Sequence, residues 1–238
     1  MMNYTSVIMK KELKSYFKTP TAYIFLVPFL LISGWFFASP LFVNNEADLR
    51  SFFNIVPWIY IIFVPAITMG LMAKEKNTGT IELLTTFPIK DSEIVMGKFW
   101  AAVILIAVGL LFSLFYFFTI VILGKNIDYG SIFCGYLGLL FLGAVYSAIG
   151  IFASSLTNNQ IVAFIISFFI IFFLHIVGYS LFFIPGFLVG IFQYISVGYH
   201  LSNLSRGVID TRNVIYFLSL IVLFLKLSMV SLQSRRWR

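Results

Sequence analysis

Six stretches of this chain, residues 21–39, 52–73, 99–123, 131–156, 161–184 and 214–232, carry no Asp, Glu, Lys or Arg apart from Lys226. An apolar run of about 18 residues or more is long enough for a helix to cross the hydrocarbon of a bilayer. Lipid offers backbone amides no hydrogen-bond partner, so such runs close their own hydrogen bonds as helices. With 61% hydrophobic and 11% charged residues and a mean hydropathy of +1.00, the soluble classes are excluded. The net charge of +7 does not point to nucleic acid, because the basic residues sit beside the apolar runs. The single cysteine, Cys134, lies inside a run, which rules out a disulfide framework or a cysteine metal site within one chain. Residues 1–18 lack a short apolar core followed by a small-residue cleavage site and do not read as a removable signal peptide.

The longest polar interruption is residues 74–98, KEKNTGTIELLTTFPIKDSEIVMGK. Its lysines, Lys74, Lys76, Lys90 and Lys98, read as surface charges, interleaved with Glu75, Glu82, Asp91 and Glu93. Within it, residues 80–87 predict a short helix capped by Thr80, with Glu82 in the first turn. Ile81, Leu83 and Leu84 supply an apolar face, and Pro88 ends the run. Asp91 or Ser92 caps the next helix start. A short helix with an apolar face, held at a membrane surface by charge, suits docking of a soluble partner. The competing reading is a helix that only lies on lipid.

Residues 4–18 alternate Tyr4, Val7, Ile8, Leu13 and Phe17 with Lys10, Lys11, Lys14 and Lys18, the pattern of a helix lying in the membrane interface with its basic side to the headgroups. Pro28 predicts a kink in the first span, the second span carries Pro57 and Pro65, and Pro40 opens a polar loop that reaches Ser51. Gly135, Gly138, Gly143 and Gly150 offer close helix approach in the fourth span. Tyr23, Trp58, Tyr129 and Trp237 stand near run boundaries, as an aromatic belt would place them. Residues 185–212 are too apolar for a loop yet broken by Pro185, Gly186, Gly190 and Gly198. They read as two short helices dipping into the outer face, before Asp210 caps the sixth span.

Eleven basic residues (Lys10, Lys11, Lys14, Lys18, Lys74, Lys76, Lys90, Lys98, Arg235, Arg236 and Arg238) fall on one side of this topology, against Arg50, Lys125, Arg206 and Arg212 on the other. That asymmetry places both termini and residues 74–98 in the cytoplasm. The expected fold is an all-α polytopic membrane protein of six transmembrane helices. To these are added an N-terminal interfacial helix, a cytoplasmic coupling helix and a half-inserted outer helical hairpin, in one transmembrane domain over 1–238. No catalytic or metal-binding motif is present in the sequence. His175 and Lys226 are candidate intramembrane polar sites, since polar groups at membrane depth are expensive. Against a direct role, Lys226 can snorkel and a neutral His175 can be satisfied by a carbonyl. His200 reads as a polar residue of the outer face.

The stretch EKNTGTIELLTTFPIKDSEIVMGKFWAA resembles the cytoplasmic loop of ABC-2-type permeases: an acidic-basic start, G-T-[IL]-E-x-L, a proline, and a G-K leading into the third span. The likeness extends over essentially the whole chain, and residues 194–237 are similar to the permease subunits associated with gliding motility. The resemblance implies a subunit without ATPase activity, two permease subunits (identical or related) pairing with two cytoplasmic ABC ATPase subunits. It implies no cofactor on this chain, with ATP and Mg on the partner. Residues 80–87 would be the coupling helix, and the ATPase-coupling residues would be Glu75, Thr78, Gly79, Thr80, Ile81, Glu82, Leu83, Leu84 and Pro88. The implied location is the bacterial inner membrane, in contact with lipid. An extracytoplasmic protein is a further candidate partner, for a permease that transmits force instead of passing a solute. A membrane scaffold or channel with no ATPase is the alternative outside this family.

Overall fold

A computed structural model of the chain describes residues 4–43, 48–80, 89–124, 128–179, 186–205, 207 and 210–234. Among the described residues there are ten helices and no strand. In chain order they are α1 (Tyr4–Lys18), α2 (Thr21–Val43), α3 (Arg50–Thr68), α4 (Gly70–Asn77), α5 (Asp91–Leu123), α6 (Tyr129–Leu156), α7 (Gln160–Ile176), α8 (Gly186–Ile195), α9 (Val197–Ser205) and α10 (Thr211–Gln233). Five are long and apolar enough to cross a membrane: α2, the nearly continuous α3–α4 over Arg50–Asn77, α5, α6 and α10. The fifth apolar run appears as the shorter α7, 17 residues, which spans about 25 Å at 1.5 Å per residue.

Several boundaries differ from those read in the sequence. Pro40 lies inside α2, which continues to Val43 instead of giving way to a loop at residue 40. α4 carries the second span on to Asn77, and α5 begins at Asp91, ahead of the apolar run that starts at residue 99. The start of α5 is not capped by Asp91 or Ser92. Lys90 is the cap residue, and the Glu93 carboxylate accepts from the Lys90 backbone N–H at 2.9 Å. Asp128 and Asp210 do cap α6 and α10, accepting from the backbone N–H of Ser131 (3.1 Å) and Arg212 (2.9 Å).

α6 is the central helix, touching α3, α4, α5, α7, α9 and α10. Lipid tails are as apolar as leucine, so helices in a bilayer associate by close packing more than by escape from solvent. Four of the five glycines of α6 supply that closeness. Gly135 faces the ring of Phe53, Gly138 faces Leu201, Gly143 faces Ile106 and Tyr60, and Gly150 lies against Thr68. Phe25, Phe29 and Tyr60 stack successively between α2 and α3, with centroids 5.5 and 5.9 Å apart. Such offset pairs add about 0.5–1.5 kcal/mol beyond their area.

At the end of the bundle away from α1 and α4, α8 and α9 form two short helices. His200 of α9 is buried there. Its Nδ1 lies 2.7 Å from Asn213 Oδ1 and its Nε2 lies 3.0 Å from the Tyr194 carbonyl, while its ring stacks on Tyr216 at 3.9 Å. One imidazole therefore ties α8, α9 and α10 together.

Candidate functional site

α1 is amphipathic, and Ile8, Glu12 and Tyr16, spaced four apart, are its buried stripe. The stripe lies along the first turns of α5, where Gly97 makes room for it. A Cβ on Gly97 would stand 2.8 Å from Ile8 and 3.0 Å from the Thr5 carbonyl oxygen. The residue after that glycine is Lys98, whose side chain is 1% exposed. Its ammonium lies 2.8 Å from Glu12 Oε1 and 2.9 Å from Glu75 Oε2, while Lys11 Nζ reaches Glu75 Oε1 at 3.1 Å. Four charges from α1, α4 and α5 thus form a neutral quartet at one end of the bundle.

Each charge in the quartet is there because of the others. An ammonium withdrawn from water costs several kcal/mol unless paired, and two carboxylates offset that cost here. Lys11, more exposed, shows the balance: burial pulls its ammonium down, but Glu75 and Glu12 outweigh burial and leave it raised. Glu75 and Lys98 stand at the two ends of residues 74–98, so the quartet joins the segment where it leaves one span and where it enters the next.

Just inside the quartet the second span is interrupted at Met69. The Ser154 hydroxyl of α6 accepts from the backbone N–H of Met72 (3.0 Å) and Ala73 (2.9 Å) and donates to the Met69 carbonyl (2.7 Å). A side chain inserted into the helical ladder is one of the few physical causes of a local break. Tyr16 of α1 donates to the Ile67 carbonyl at 2.9 Å, and the Lys76 ammonium donates to the Ser155 carbonyl. The broken helix is therefore pinned on one side to α1 and on the other to α6.

Of the nine coupling residues read from the sequence, Glu75 is in the quartet. Thr78 donates to the Lys74 carbonyl at 3.1 Å, and Thr80 donates to the Glu75 carbonyl at 3.3 Å, both closing the end of α4. Gly79, at φ +69°, holds the left-handed turn that ends α4, a conformation that favours glycine. Ile81, Glu82, Leu83, Leu84 and Pro88, with the helix read over 80–87, lie outside the described residues.

Two lysines read as surface charges are not: Lys98 and Lys76 are buried, because each finds a partner on a neighbouring helix. Lys11, Glu12, Lys98 and Ser154 were not singled out as site residues in the sequence. The available signal was Glu12, the only acid in the first 45 residues, standing among lysines. Lys226 is exposed on α10, whereas His175 is buried at the end of α7, with Tyr146 3.2 Å from its Nδ1.

Long apolar helices packed around a glycine-lined central helix, with a charged joint at one end, define a polytopic helical membrane protein. The family model described as ABC-2 family transporter protein matches residues 3–237, and the chain belongs to that family. It is accordingly the membrane-embedded permease component of an ABC transporter. No curated protein matches the chain.

Proposed function

We propose that this permease is driven by cytoplasmic ATPase subunits docking on residues 74–98, and that the Lys11–Glu12–Glu75–Lys98 quartet carries the motion into the bundle. The observation behind this reading is the quartet itself, which joins both ends of the segment to α1 within 2.8–3.1 Å. A push on the segment then moves α1, α4 and α5 together, and the interruption at Met69 is where the second span can yield. ATP and Mg act on the partner, and the ATPase's different affinity for two arrangements of the bundle biases which is populated. The excess of basic residues at the quartet end supports a cytoplasmic placement for both termini, six crossings, and a bacterial inner membrane. A second permease subunit, of the same or a related chain, completes the assembly.

Residues 194–237 support a narrower reading, a permease of the gliding-motility type that acts on an extracytoplasmic partner. The ATPase contact is tested by Leu84→Asp. Burying one leucine in a partner's groove contributes about 1.5–3 kcal/mol, so the charge weakens association by about an order of magnitude or more. Retained insertion with lost copurification and lost stimulation of ATP hydrolysis supports the contact. Unchanged association and hydrolysis would reduce the segment to an element lying on lipid and favour the scaffold reading.

A further inference from the structure

At the end of the bundle opposite the quartet, a cavity of about 90 Å³ lies between the start of α3, the start of α6, the end of α7 and α9. Asn54, Pro57, His175, Tyr179, Ser202 and Ser205 are among its lining residues, and among the described residues no carboxylate or cationic side chain lines it. The His175 ring, 3% exposed, forms part of the wall. Its Nδ1 is 3.2 Å from the hydroxyl of Tyr146, a wholly buried side chain with no other hydrogen-bond partner among the described residues. The Tyr146 proton therefore goes to Nδ1, which leaves the imidazole proton on Nε2. That Nε2–H is buried and has no partner among the described residues. Trp58, edge-on to the ring at 4.9 Å, holds its orientation.

We propose that this cavity is a binding subsite for a hydroxyl-bearing edge of a neutral sugar or polyol, with a ligand oxygen accepting from His175 Nε2. An orphan buried N–H costs about 1–3 kcal/mol, and an acceptor oxygen recovers it. A charged ligand is disfavoured, because no charged side chain among the described residues of the wall offsets its lost hydration. The Asn54 amide supplies a donor and an acceptor, and the Ser202 and Ser205 hydroxyls, which donate their protons to the Tyr199 and Ser202 carbonyls, add acceptors, so a ligand hydroxyl finds both. At about 30 Å³ per water, the space holds roughly three waters or one edge of a larger molecule. The subsite is independent of the ATPase contact proposed above.

The chain has two histidines, so ¹⁵N-histidine labelling gives one signal for the subsite and one internal control, His200. Purified protein is titrated with methyl α-glucopyranoside and, separately, with glucose 6-phosphate. The expected result is a saturable shift of the His175 Nε2 signal with the neutral glucoside, an unmoved His200, and weaker binding of the phosphate. Asn54→Leu, at an exposed position, leaves the fold intact and weakens the glucoside by about tenfold, the loss of one hydrogen bond. A His175 signal unmoved by the glucoside would mean that the cavity holds water only and would overturn the proposal. So would equal response to the phosphate, or undiminished affinity in Asn54→Leu.

Discussion

Lys98 concentrates the energetics of the quartet end, because an almost wholly buried ammonium depends on two carboxylates from two other helices. Replacing it by methionine keeps the volume and leaves Glu12 and Glu75 with only the largely exposed Lys11 as counter-charge. The expected cost is about 3–5 kcal/mol, read as a lowered unfolding midpoint in detergent. Neutralising all three, with Glu12→Gln and Glu75→Gln added, restores most of that stability, since an apolar or neutral set can replace a buried ion network at little cost. Lys11→Ala, at the exposed edge, costs no more than about 1 kcal/mol. A Lys98→Met variant as stable as the parent, or a triple variant worse than the single one, would contradict this view of the quartet. The residue types here were legible in the sequence, but the pairing was not. Lys98 is separated from Glu12 by 86 positions, and nothing local distinguishes a lysine bound for a buried ion pair from one facing water.

Among the elements, the interrupted second span is held by one hydroxyl. Ser154→Ala removes the partner of two backbone N–H groups and one carbonyl, at an expected cost of about 1–3 kcal/mol. Hydrogen exchange at Met72 and Ala73 is expected to quicken, while exchange in the middle of α6 stays unchanged. Equal protection of Met72 in both proteins would mean that the Ser154 hydroxyl does not hold the break. The apolar period located the helices well: residues 4–18 form α1, and the broken apolar stretch after residue 185 forms α8 and α9. Boundaries moved where tertiary contacts took over from composition. Polar residues 74–77 and 91–98 remain helical because Glu75, Lys76 and Lys98 all find partners on neighbouring helices. The break at Met69 was invisible because its cause, Ser154, lies on another span, although Pro65 marked the neighbourhood.

For the whole molecule, the charge asymmetry and the six apolar runs make a topological prediction. Cysteines introduced at Asn77 and Asp128 label from opposite sides of the membrane in intact cells, Asp128 from outside; labelling of both from one side would refute six crossings. The family membership was legible in residues 74–98, while the way this segment is bound to the bundle needed the packing of α1 on α5. We propose that this joint passes force between the ATPase and the spans, and one reconstitution measures that transfer directly. The triple variant Glu12→Gln, Glu75→Gln, Lys98→Met, reconstituted with its ATPase subunits, is assayed for ATP hydrolysis alongside the parent complex. The predicted result is an assembled complex, folded and intact by gel filtration, whose permease no longer stimulates hydrolysis. Full stimulation by that folded variant, in which Lys11 is the one charge left of the four, would contradict the claim that the quartet links the two.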